Sequence, residues 1–326
     1  MRRIEPTYPD LLPFTHQLGP VPVEGGRVAL DLVGMRLVRQ PALALNGDAH
    51  TPRRPQRVLV YAGALKSRRR AMERLVAAGC GILLVADEPV TPEEVPSPLS
   101  PDQLTVLNLW LSPFWGEIPL VPLGPFREAG FATGTLVALT PQLPAAESMR
   151  QALTAARDSG ASFVVLAPLC LTGEEKHEAY ERAFGEEGNG VFEDMLFHSD
   201  PVEVAKGLEI QGSSVARELG LREGFSGPGT ALCPAPCFAA ACSLLLWARR
   251  LDLLDGVASQ GWRLRRAAQA LLVAGRDPSE LMEEDNLRLV PGFDAWVEAL
   301  ARSLWAQEGE PFASLWLRWL ETASAR

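Results

Sequence analysis

Three cysteines within ten residues, Cys233, Cys237 and Cys242, form the most distinctive chemical group in the chain. Soft thiolates at close spacing bind zinc or an iron–sulfur cluster, so these three are the candidate metal ligands. Their spacing, Cys-x3-Cys-x4-Cys, is not a standard ligand pattern. Pro236 reads as the opening of a helix, and residues five apart on a helix differ by about 140° around its axis. Cys237 and Cys242 then diverge. The intervening Ala239-Ala240-Ala241 points to tight packing, where a free cysteine serves as a small apolar side chain. A metal centre, a core role and a redox thiol are the three readings of the group.

A second group lies where apolar runs end. Asp87-Glu88 follows Ile82 to Ala86, and paired carboxylates after a strand suit general acid–base catalysis or a hard metal. Asp87 and Glu88 are therefore the candidate catalytic pair. Thr91-Pro92-Glu93-Glu94 has the form of a capping box, with Thr91 three residues ahead of Glu94. Trp110 to Glu117 follows another apolar run, and Trp110, Trp115 and Glu117 are placed to wall a pocket for a flat ligand. Asn46-Gly47-Asp48-Ala49-His50 reads as a tight turn that brings Asn46, Asp48 and His50 together. Tyr61, at the end of the run Val58 to Tyr61, joins these as a candidate ligand-binding residue. Loop packing is the alternative for all of them. No phosphate-loop, Gly-x-Gly-x-x-Gly, Gly-x-Ser-x-Gly or His-Glu-x-x-His motif occurs. That argues against ordinary kinase, dinucleotide-dehydrogenase, α/β-hydrolase and zincin chemistry.

The elements that must position these groups follow a repeated grammar. Short apolar runs at Ala42–Leu45, Val58–Ala62, Ile82–Ala86, Leu104–Leu111, Gly134–Leu139 and Phe163–Ala167 read as strands. Val58 to Tyr61, Ile82 to Val85 and Phe163 to Leu166 lack polar–apolar alternation, the mark of a parallel sheet covered on both faces. Between them, Ser67–Ala78 and Ala145–Ser159 carry apolar stripes at helical spacing and stop at Gly79 and Gly160. Past residue 170 the strands stop and helical stripes take over, among them Val191–His198, Val202–Leu219, Pro236–Leu254 and Pro311–Ala323. Gly224 to Pro228 reads as a loop and a boundary. The expected fold is therefore α/β, a partial (β/α)6 barrel or an open parallel sheet, followed by an all-helical C-terminal region. The expected division is an N-terminal extension over 1–35, a barrel-like domain over 36–223 and a helical region over 224–326.

The chain has 326 residues, 47% apolar and 22% charged, with a net charge of −9. That length suits one large α/β unit and a smaller one. The acidic balance argues against general binding to nucleic-acid backbones. The basic run Lys66 to Arg70 reads as a solvated helix face. No apolar stretch is long enough to span a membrane, and the first residues lack the apolar core of a signal peptide. Five cysteines in a chain of this length do not make a disulfide framework, so a cytoplasmic setting is expected. A small molecule or a protein is the expected partner.

The segment Arg127 to Phe184 resembles the later half of the barrel in radical S-adenosylmethionine enzymes, most closely the spore-photoproduct-lyase-like branch. Glu128 to Pro141 carries the likeness, followed by a helix ending Ala155-Ala156-Arg157-Asp158-Ser159-Gly160-Ala161, the run Phe163 to Leu171 and an acidic helix around Glu174-Glu175. The resemblance implies a barrel, S-adenosylmethionine as cofactor, and a Cys-x3-Cys-x2-Cys cluster motif after the first barrel strand. The corresponding residues, Leu45 to Thr51, contain no cysteine. It thus implies a relative without the cluster, acting as a pseudoenzyme or as a ligand- or partner-binding protein. The alternatives are a metalloenzyme built on Cys233, Cys237 and Cys242, and a metal-free α/β enzyme with its site at the carboxyl ends of the strands.

Overall fold

The computed structural model of the chain describes residues 15–17, 21–23, 28–31, 36–39, 57–63, 69–95, 99–111, 120–139, 145–168, 173–184, 190–255 and 259–305. The expected strand Ala42–Leu45 and helix Pro311–Ala323 lie outside them.

The continuous apolar runs become the middle of one parallel sheet. Strand β1 is Thr15–Gln17, and β2 (Val21–Val23), β3 (Val28–Asp31) and β4 (Arg36–Arg39) form a separate antiparallel meander. Strand β5 (Arg57–Tyr61) is followed by helix α1 (Arg69–Ala77), then β6 (Gly81–Ala86) and β7 (Leu104–Leu111). Helix α2 (Gly124–Glu128), β8 (Ala132–Leu139), helix α3 (Ala145–Asp158) and β9 (Phe163–Pro168) come next. Helices α4 (Gly173–Phe184), α5 (Gly190–Glu193) and α6 (Pro201–Glu218) lead to the short β10 (Arg222–Glu223). Helices α7 (Ala235–Asp255), α8 (Gly261–Ala274), α9 (Pro278–Glu283) and α10 (Ala295–Trp305) follow.

The large sheet is open and seven-stranded, in the order β1-β5-β6-β7-β8-β9-β10, with every neighbouring pair parallel. Two of its strands were not legible. Thr15–Gln17 and Arg222–Glu223 are too short to show a period, and only their partners β5 and β9 make them strands. The stripe over Val191–His198 is also divided: α5 ends at Glu193, and Asp194–His198 is a π-turn. The two expected helix stops hold Gly79 and Gly160 at φ 74° and 93°, which glycine adopts without steric cost.

Each strand follows the last in space as it does in sequence, so each right-handed crossover lays its helix on the same face. On that face Val58, Val60, Ile82, Leu84, Val106 and Val164 pack with Met72 and Leu75 of α1, Phe126 of α2, Leu153 of α3 and Val215 of α6. The alternate residues, Leu59, Leu83, Leu107, Leu109, Leu136 and Val165, point the other way. That second face is covered by α7, through Cys237, Phe238, Ala241, Leu244, Leu245 and Ala248, with α8 and α10 behind it. Both faces are thus dry, as continuous apolarity requires. Helix α7 is apolar on nearly all sides because it lies between the sheet and other helices.

The segment 224–228 is stitched to the strands. Gly224 N donates to Val164 O at 2.9 Å, Thr105 Oγ1 to Ser226 O at 3.3 Å, and Arg57 Nε to Pro228 O at 2.9 Å. No helix among the described residues is long and apolar enough to cross a membrane.

Candidate functional site

The carboxyl ends of the strands hold the acids expected there. Asp87 leaves β6, and its Oδ1 accepts a hydrogen bond of 3.1 Å from Gly63 N, at the end of neighbouring β5. Burial pushes its carboxyl above the usual carboxylate range, against the pull of the Gly63 amide. A raised carboxyl favours the protonated form in the folded state. Its contribution to stability is fully present below the ordinary value of 3.8 and is lost as the pH rises through the folded value. Asp87→Asn keeps an acceptor for Gly63 and removes that loss. We expect its urea midpoint to exceed wild type at neutral pH and to converge with it in acid. Asp87→Ala, lacking the acceptor, should fall about 1 kcal/mol below Asp87→Asn.

The other expected ligand-binding residues do not gather around Asp87 among the described residues. Tyr61 ends β5 and packs toward α7, whereas Trp110 packs with the opposite, crossover face. Asn46, Asp48, His50, Trp115 and Glu117 lie outside the described residues. Glu94 acts as a cap, its Oε2 accepting from Thr91 N at 2.9 Å.

The cysteines sit at the other end of the sheet, around the start of α7. Cys233 precedes the helix, in a tight turn closed by Thr230 N to Cys233 O at 2.8 Å and Cys233 N to Thr230 O at 3.1 Å. Cys237 lies in the first turn of the helix, and its thiol reaches Leu271 O of α8 at 3.3 Å. The Cys233 thiol reaches Pro234 O at 3.8 Å. Cys242 turns away from this pair, as the helical angle requires, into a cavity beside β9. Among the described residues no group of three or more His, Cys, Asp or Glu is placed to hold a metal ion. The donor set therefore does not fit the zinc or iron–sulfur centre expected of Cys233, Cys237 and Cys242.

What sequence reading missed is Arg57, the first residue of β5. It is 5% exposed, its Cζ lies 3.3 Å from the centroid of the Phe238 ring, and its Nη2 has no hydrogen-bond acceptor. Among the described residues it forms no ion pair with a carboxylate, and burial lowers its guanidinium below the usual range, with the Cys233 thiol as the largest opposing influence. The neighbouring Cys237 thiol and the Arg57 guanidinium hold the Cys233 thiol below the usual thiol range, against the effect of burial. The neighbouring Cys233 thiol and burial push Cys237 up, and burial pushes Cys242 up.

A third cluster was also missed. Between α6, α7 and the β9–β10 edge lies a small recess, partly open to solvent and lined by Glu209, Glu223, Cys242 and Arg250. Ser213 Oγ donates to Glu223 Oε2 at 2.6 Å and accepts from Arg250 Nη2 at 2.8 Å, while Arg250 pairs with Glu223. Arg249 Nη1 stands 3.6 Å from Glu209 Oε1, with the two side chains 2% and 1% exposed. The only available signal was a charged residue inside an apolar stripe: Glu209 between Leu208 and Ile210, and Arg249-Arg250 within α7. Set against protein-family models and against curated proteins, the chain matches none.

Proposed function

We propose that this chain is a ligand- or partner-binding relative of the radical S-adenosylmethionine barrels that works without a cluster. The likeness over Arg127 to Phe184 falls on β8, α3, β9 and α4, the strand–helix units on which it was based. The strictly sequential parallel order is that of a barrel opened along one seam. The observation that carries the reading is α7. In a barrel, the face bearing Leu83, Leu107 and Leu136 would line the lumen, whereas here Phe238, Ala241, Leu244 and Leu245 pack against it. A nucleoside cofactor lying along that face would have to displace a buried helix. The segment 45–51, where the cluster motif belongs, supplies no thiol.

Anaerobic reconstitution with iron and sulfide tests this, followed by titration calorimetry with S-adenosylmethionine. The expected result is a colourless protein with no stoichiometric iron and no heat of cofactor binding. Stoichiometric iron that is lost in Cys237→Ala, or saturable binding of S-adenosylmethionine, would overturn the reading.

A further inference from the structure

Glu209 of α6 is 1% exposed and lines the recess between α6, α7 and the β9–β10 edge, and among the described residues neither of its oxygens accepts a hydrogen bond. Arg249 balances its charge from 3.6 Å, too far for a hydrogen bond, and is not itself part of the lining. The other charges at the recess are matched to each other. Arg250 pairs with Glu223, and Ser213 Oγ accepts from Arg250 and donates to Glu223. The unmet capacity of the site is therefore that of a buried carboxylate acceptor. A short strand opens the space beside it. β10 ends at Glu223, and Gly224 N donates to Val164 O. Leu166, two residues further along β9, turns its carbonyl toward the same edge, and it too lines the recess. The remaining walls include Val165, Phe225 and Leu246, and the space between them admits about one water-sized group.

We propose that this recess binds the ammonium headgroup of a small primary alkylamine, with Glu209 as its counter-charge and main acceptor and the Leu166 carbonyl as a further acceptor. A primary ammonium is close to water in size, carries three donors and no acceptor, and is positively charged. Those properties match an enclosed carboxylate whose oxygens accept nothing else. The first methylenes of the amine would lie against Val165, Phe225 and Leu246, on the way to solvent. A guanidinium is planar and too large for the space, and a quaternary ammonium is larger still and donates no hydrogen bond. Engagement of Arg250 by Glu223 and Ser213 keeps the nearest cation from competing for Glu209. The site belongs to the β9–β10 edge and is independent of the barrel likeness, so either can fail without the other.

Titration calorimetry of the full-length protein with n-butylammonium chloride, at constant total chloride, provides the test. The expected result is saturable binding at one site per chain with a dissociation constant in the millimolar range, as a ligand of so few heavy atoms allows. Tetramethylammonium chloride and guanidinium chloride should give no saturable heat. Glu209→Gln should weaken n-butylammonium binding about tenfold or more, through loss of a charge-assisted contact. That variant leaves Arg249 without its counter-charge, so Glu209→Leu combined with Arg249→Met, which removes both charges and keeps the volume, is titrated beside it and should not bind the amine. Absence of saturable binding to wild type, equal binding of tetramethylammonium or guanidinium, or unchanged amine binding in the folded double variant would each overturn the proposal.

Discussion

Glu209→Ala is expected to destabilise the protein by about 3–5 kcal/mol, the cost of leaving a buried charge without its partner. The carboxylate and Arg249 are 1% and 2% exposed, and 3.6 Å separates Oε1 from Nη1. Among the described residues neither Glu209 oxygen accepts a hydrogen bond, and none of the Arg249 nitrogens donates one. Their mutual attraction is therefore what compensates the burial of each. Removing one strands the other between α6 and α7, where both side chains are buried. The pair need not stabilise the fold on balance, because desolvation offsets much of what it gains. Glu209→Leu combined with Arg249→Met, which keeps volume and removes both charges, is accordingly expected to fold at least as stably as wild type. Urea unfolding followed by far-ultraviolet circular dichroism measures all three proteins. A loss below about 1 kcal/mol in Glu209→Ala would mean that Arg249 has another counter-charge and that the pairing argument fails.

Phe238→Ala is expected to cost a comparable amount, about 3–5 kcal/mol. The ring is fully buried at the point where the sheet, the 224–228 segment and α7 meet. Its centroid lies 5.8 Å from that of Phe225 with the planes at 88°, and Phe225 in turn meets Phe163 at 6.0 Å and 76°. This edge-to-face chain ties the first turn of α7 to β9, and each pair adds roughly 0.5–1.5 kcal/mol beyond its buried area. The same ring carries the Arg57 guanidinium on its face, a cation–π contact worth about 2 kcal/mol when desolvated. Phe238→Leu, which refills most of the volume but supplies no π face, separates the two contributions. It should recover the cavity share and leave a deficit of about 2 kcal/mol. Equal losses in the alanine and leucine variants would show that volume is irrelevant here; equal stability of leucine and wild type would show that the ring's face is.

Much of the scaffold was written locally. Ile82 to Val85 and Phe163 to Leu166 are strand-length runs without polar interruption, and they can only be satisfied by cover on both faces. Gly79 and Gly160 stop helices for a reason internal to their own backbone, and the Thr91–Glu94 cap needs only three residues of spacing. These features act over one or two turns of chain, so the sequence displays them directly. The same reasoning gave the divergence of Cys237 and Cys242, since an angle around a helix axis is a local quantity.

The sequence by itself determined that this is an α/β chain with a parallel sheet and strand–helix units. Only the tertiary structure decided which residues share a site. Tyr61 and Trp110, both candidate ligand-binding residues, stand on opposite faces of the sheet. Arg57, which stands just ahead of the run Val58 to Ala62, is buried by Pro228 and Phe238, the former 171 positions further along the chain. The three cysteines, adjacent in sequence, part company: the Cys237 thiol reaches Leu271 O of α8, the Cys233 thiol Pro234 O, and Cys242 lines the recess beside β9. The physical reason is the same in each case. Periodicity fixes which way a side chain leaves its own strand or helix, but charge, burial and reactivity depend on what the rest of the chain lays against it.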